Sequence, residues 1–204
     1  MVDPHRIEDH SGLEALYDAP ATASLEKVTA SMTPEYRAWI TAARFCILSS
    51  VGPDGTDASP RGDDGPVVDV LDERTLALPD WRGNNRIDSL RNIVRDGRVS
   101  LMFMVPGSNN VIRVNGKAHV TTDPALAERF TDKGRVPRCV VVIAIEEVYF
   151  QCARALMRSG LWSGKDDSSG LPSMGDILQS ASKGTIDGKR YDVDWPIRAR
   201  KTMW

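Results

Sequence analysis

A chain of 204 residues that is 41% hydrophobic can bury one good-sized core and an appended segment, but not two large independent domains. Its 26 Lys and Arg against 28 Asp and Glu leave a formal charge of -2, which excludes a global field for nucleic acid or an anionic membrane; any anion must be held locally. The charged opening MVDPHRIEDH lacks the apolar run of a secretion signal, and no stretch nears the roughly 20 apolar residues of a membrane span, so a soluble protein is expected.

In chain order, residues 11–43 are predicted helical. Leu13, Leu16 and Tyr17 share a short face, and Pro34 opens a segment carrying Tyr36, Trp39 and Ile40. Residues 1–43 therefore read as a helical lead-in. FCILSSVG is a short apolar run, and Asp54-Gly55 behind it is a turn signal, because Gly tolerates positive φ; a hairpin is predicted.

VVDVL and TLALP supply two more strands, separated by Asp72, Glu73 and Arg74, before the polar loop DWRGNNR. Apolar residues at 87, 90, 93 and 94 then fit one helical face, with Asp88 suited to the N-terminal dipole. VSLMFMV, VIRVNGKAHV and CVVVIAIEEVYF are long strand candidates rich in β-branched residues, with a Pro124-initiated helix of about eight residues between the last two. Asn115-Gly116 admits two readings, a type I′ turn or a bulge in one long strand, and local chemistry favours the turn. CARALMRSG returns to a helical pattern, and from Ser163 the composition of Gly, Ser, Asp and Lys predicts an irregular tail.

Several common sites are missing. There is no GxGxxG, HExxH or GxSxG, and GTIDGK at 184–189 has one residue too few between its glycines for a P-loop. With His5, His10 and His119 as the only histidines, no metal site is expected, and His119 reads as a structural strand residue. Asp63-Asp64 reads as a turn and not as an acid/base pair. Cys46, Cys139 and Cys152 are odd in number, far apart and beside apolar runs, which predicts buried thiols in a reducing compartment.

Three pieces remain. SPRGDDG places Arg61 after a strand, DWRGNNR places Arg82, Asn84, Asn85 and Arg86 between a strand end and a helix start, and VIRV offers Arg113. Arg forks, amide donors and a helix N-terminus are what a phosphate monoester dianion requires. The competing reading pairs these arginines with Asp63, Asp80 and Asp88 at the surface.

The order of parts resembles the pyridoxamine 5′-phosphate oxidase-like FMN-binding split barrels over roughly residues 35–162. The matching pieces are FCILSSVGPDGTDASPRG, TLALPDWRGNNRIDSLRNI, RVSLMFMVPGSNNVIRVNGKAHV and VYFQCARALMRSGLW. The resemblance implies a mainly β fold with peripheral helices, a six-stranded antiparallel split β-barrel over residues 44–160, and an irregular or helical extension over 161–204. It implies FMN as cofactor, held in a groove between the two chains of a cytoplasmic homodimer.

By the same resemblance, Arg61 and Arg86 approach the flavin phosphate, with Asn85 a neutral donor, Trp81, Arg82 and Asn84 around them, and Ser89 a weaker candidate. Asn110 and Arg113 follow near the ring or ribityl arm. The resemblance also turns the Asn115-Gly116 reading into a continuous kinked strand. The expected function is an FMN-dependent oxidoreductase acting on a small molecule that the residues do not name. The alternatives are a flavin-binding module that stores or senses, or a split barrel holding haem or a deazaflavin. The ending RARKTMW lacks the Arg-Leu-x-Pro motif of true pyridoxamine phosphate oxidases, which argues against vitamin B6 oxidation. Cys152, Arg154 and Arg158 either line a substrate pocket or solvate a helix, the second being preferred.

Overall fold

The computed structural model describes residues 3–203. Its first two helices, α1 (His10–Glu14) and α2 (Thr22–Glu26), bury no residue. The lead-in joins the core only further on, where Thr29 bridges Val148 and α3 (Pro34–Ala42) begins. The Thr33 side chain accepts from the Tyr36 amide, Pro34 occupies the first turn where no amide is missed, and Ile40 is fully buried.

The next two elements, β1 (Phe45–Gly52) and β2 (Gly55–Gly62), form the expected hairpin, with Gly52 opposite Gly55 and Gly55 at φ 128. The following strands are β3 (Asp69–Asp72) and β4 (Thr75–Asp80). Then come α4 (Asp88–Arg95), β5 (Arg98–Met104) and β6 (Val111–Thr121). After them lie α5 (Pro124–Glu128), β7 (Cys139–Gln151), α6 (Arg154–Ser159), α7 (Met174–Ala181) and α8 (Gly188–Thr202).

All pairings are antiparallel, in the order β2-β1-β5-β6-β7-β4-β3. This corrects the six-stranded barrel to seven strands in one unclosed sheet. Four-residue β3 adds to the outside of β4 as an edge, and no ladder joins it to β2 at the other end. The sheet curls about a core in which Leu48, Leu76, Leu101 and Phe103 are almost wholly buried, with Ile40 closing it.

At Asn115-Gly116 the backbone runs straight through as one strand. The register against β7 shifts there, from Asn115 opposite Glu147 to Gly116 opposite Ile145, so Glu146 is the extra residue of a bulge. A Cβ on Gly116 would lie 2.0 Å from the Ala144 carbonyl oxygen, a close approach that only glycine permits. The type I′ hairpin favoured by local chemistry is thus overturned by strand pairing, as the family resemblance implied.

Two local readings are also corrected. The Pro124 helix has five residues, shorter than the sequence suggested. The tail is irregular only as far as Ser173 and helical beyond it: Ser173 and Asp176 form a reciprocal capping box for α7, and the Asp187 side chain caps α8. Pro196 lies inside α8, where proline removes a backbone donor and disfavours a helix. Tertiary contact outweighs it, because Gly175 and Gly188 bring the two helices into backbone contact and Asp192 accepts from the Gly175 amide at 2.8 Å. Among the described residues no helix is long and apolar enough to cross a membrane.

Candidate functional site

Alternation along β2 sends Asp57, Ser59 and Arg61 to the inner side of the curl, the same side as Cys46 opposite Arg61. Facing them are the end of β4, the loop over residues 81–87, the start of α4, and Arg138 with Cys139 at the start of β7. Together they enclose a cavity of about 720 Å³, within the size range of small-molecule sites. Of the sequence candidates, Arg61, Trp81, Asn84, Asn85, Arg86 and Ser89 line it.

The loop is held by its own amides. The Arg86 backbone N–H donates to Asn84 Oδ1 at 3.0 Å, and Arg138 Nη1 donates to Asn85 Oδ1 at 2.7 Å. Asn85 and Ile87 both have positive φ, at 63 and 48. Asn tolerates this region; a β-branched residue there stores on the order of 1–3 kcal/mol, the kind of strain that gathers at ligand sites. Ile87 is also the N-cap of α4 and provides no side-chain cap, so the first-turn amides face the cavity rim uncapped.

The helix itself is fastened from below. Ser89, buried, donates its hydroxyl to Asp57 on β2, and Asn92 Nδ2 donates to Ser50 Oγ at 3.2 Å on β1. Ser89, the weaker candidate of the sequence, is buried, because this face of α4 turns onto β1 and β2.

The competing reading of the arginines also has geometric support. Arg61 Nη1 meets Asp80 Oδ1 at 2.5 Å, with both side chains largely buried, and Arg86 Nε meets Asp88 Oδ2 at 2.6 Å with Arg86 well exposed. The lining holds four carboxylates, Asp57, Asp63, Asp80 and Asp88, against the guanidinium groups of Arg61, Arg86 and Arg138. These pairs leave donors over. Arg61 Nε is buried with no hydrogen-bond acceptor, and Arg86 spends only its Nε on Asp88. A phosphomonoester fits this donor set, by taking up the unused edges of two guanidinium groups beside uncapped helix amides.

The thiols paired across the strands with Arg61 and Asp80, Cys46 and Cys139, are quiet. Burial pushes Cys46 up to about 12, against a smaller opposing pull from Arg61. Cys139 is raised by burial first and by Asp80 second. Neither is poised as a thiolate nucleophile. Cys152 departs from the buried-thiol expectation and is exposed.

Three sequence candidates lie elsewhere. Arg82 is exposed and does not line the cavity, and Asn110 is exposed just before β6. Arg113 points to the outer face of the sheet, since its neighbours Ile112 and Val114 are buried on or near the inner one; its guanidinium stands 5.2 Å from the Tyr149 ring centre. Cys152, Arg154 and Arg158 are also outside this cavity and exposed. The reading missed Asp57, Arg138 and Cys139. Asp57 was accessible through its i, i+4 relation to Arg61 along a strand, whereas Arg138 and Cys139 arrive only through the pairing of Cys139 with Asp80. Among the described residues no group of His, Cys, Asp or Glu is arranged to hold a metal ion.

Several solved structures are similar to the chain. HupZ of Group A Streptococcus has a TM-score of 0.47 at 20% identity, over 57% of this chain and 91% of its own. A candidate pyridoxamine 5′-phosphate oxidase of Lactobacillus delbrueckii has a TM-score of 0.46 at 25% identity, over 59% and 95%. An FMN-binding protein of Syntrophomonas wolfei has a TM-score of 0.41 at 14% identity, over 57% and 88%. No curated protein matches the chain. The family model described as pyridoxamine 5′-phosphate oxidase matches residues 32–152, more than half of the chain and the whole span from α3 to β7. The chain belongs to the pyridoxamine 5′-phosphate oxidase family.

Proposed function

We propose that the cavity binds FMN by its phosphate and that the protein is an FMN-dependent oxidoreductase acting on a small molecule. The observation that carries this reading is the convergence of Arg61, Asn84, Asn85, Arg86 and the uncapped start of α4 on one cavity, in a chain whose family match spans all of them. Bound flavin supplies hydride or electron transfer, which the side chains present do not. The chain's own part is to anchor the phosphate with Arg61 and Arg86, to wall the site with Trp81, and to keep α4 in place through Ser89 and Asp57.

The active species in this reading is a homodimer with FMN between the chains. On the outer face of the sheet, Phe45 lies opposite Met104 and Ile47 opposite Met102, all half-buried, and Arg113 and Tyr149 continue the patch. An apolar patch flanked by an arginine and a tyrosine suits a symmetric interface. Arg113 would then reach a flavin only through a partner. Three free cysteines suit a reducing compartment, the cytoplasm.

The absorption spectrum of freshly purified protein, followed by identification of the released chromophore, tests the cofactor. FMN in near-stoichiometric amount is expected; a colourless protein that takes up no added FMN refutes the reading. Stopped-flow reduction by NADH and NADPH, with an acceptor screen, then tests turnover. A protein that holds FMN yet stays inert to every donor is a storage or sensing module.

A further inference from the structure

The Arg61–Asp80 pair sits inside the cavity and not beside it. Both side chains are largely buried and both residues line the proposed phosphate end. In this pose Arg61 satisfies Nη1 on Asp80 while its Nε remains buried without an acceptor. A buried donor left unmade is costly, so the pair is an incomplete solution for the guanidinium. The same lining holds Asp57, Asp63 and Asp88, and Asp57 and Asp88 are engaged with Ser89 and Arg86. A dianion entering the cavity meets an arginine already occupied by a carboxylate.

We propose that Asp80 is an internal placeholder for the ligand's phosphate on Arg61: it neutralises the buried guanidinium in the empty protein and yields it when a phosphomonoester enters. This rests on the flavin reading and adds a means by which the site sets its own affinity. The carboxylate protects the fold, because a buried guanidinium without a counter-ion is strongly destabilising. It also weakens binding, because the phosphate must displace or approach a like charge. Asp80 would thereby lower affinity for phosphorylated flavins alone, since a ligand without a phosphate leaves the Arg61–Asp80 pair in place.

The test compares the full chain with Asp80→Asn, Arg61→Ala and the double variant, titrated with FMN and with riboflavin, which lacks the phosphate. Fluorescence quenching reads affinity, and melting with and without each flavin reads stability. Asp80→Asn is expected to bind FMN about tenfold tighter or more, with riboflavin unchanged. The gain should vanish when Arg61 is also Ala. Without ligand, Asp80→Asn should melt lower than the parent, and FMN should raise its Tm by more than it raises the parent's.

Equal or weaker FMN binding by Asp80→Asn overturns the proposal while leaving the flavin reading intact; Asp80 then only positions Arg61. A gain that extends to riboflavin, or survives in the Arg61→Ala background, also overturns it. If the parent binds neither flavin, the flavin reading falls and the placeholder falls with it. Should Asp80→Asn not fold alone, Asp80→Ser and refolding in the presence of FMN decide: recovery with FMN but not with riboflavin supports the proposal, and no recovery with either overturns it.

Discussion

Replacing Gly116 by Ala tests the account of the bent sheet. A Cβ there would stand 2.0 Å from the Ala144 carbonyl oxygen and 3.1 Å from its carbon, both backbone atoms in the central β6–β7 pair. Ordinary contact begins at 3.4 Å, so the strands would have to part by more than 1 Å beyond their present spacing, and neither can yield alone, because β6 is also paired to β5 and β7 to β4. Overpacking at such a site costs about 3 kcal/mol. For a chain of this size that corresponds to a drop in Tm of roughly 6–12 °C. Urea unfolding followed by circular dichroism, with calorimetry for Tm, measures both. A variant within about 0.5 kcal/mol of the parent would refute the close approach, and with it the bulge at Glu146 that produces it.

Four further outcomes are expected. Arg86→Ala should weaken FMN retention about tenfold through loss of a charged donor, with little change in Tm because the side chain is well exposed; equal retention in a flavin titration removes Arg86 from the site. Ser89→Ala should destabilise by about 1–2 kcal/mol in urea, since Asp57 loses its partner in the wall of the cavity. With Cys46 at about 12 folded and 9.0 unfolded, the unfolded chain sheds this proton first, so its stabilising contribution is complete below pH 9 and is lost as pH rises towards 12. Between pH 8 and 11 the unfolding free energy of the parent should fall by roughly 3 kcal/mol more than that of Cys46→Ala, and parallel pH profiles would contradict this. In the native protein a thiol reagent at pH 8 should label exposed Cys152 first and leave Cys46 unlabelled until denaturant is added, read by mass spectrometry of the digested chain.

How much of this was legible beforehand depends on the range over which each feature is determined. The β1–β2 hairpin, α3 opening at Pro34 and the short α4 follow from alternation, helical periodicity and turn residues within a few positions, and all appear near their expected bounds. The loop at residues 81–87 was identifiable because its amides and arginines interrupt the apolar pattern. The capping signal of α7, Ser173 with Asp176, was equally local and was passed over behind the Gly and Ser around it.

Local chemistry misjudged Asn115-Gly116, because the backbone conformation there is imposed by β5 and β7 on either side and not by the dipeptide's turn preference. It was also silent on which charges meet. Arg61 and Asp80 are 19 residues apart and touch only because the sheet curls; Arg138 and Cys139 reach them through the β4–β7 register. Strand parity places Arg113 opposite to its neighbours, but which side of the sheet becomes the cavity is a property of the curl. The amino-acid sequence by itself determined the elements and the stock of phosphate-binding groups, through forces that act within one or two turns. Only the tertiary structure decided which of those groups share a cavity and which carboxylates already hold them, since that follows from packing seven strands around one core.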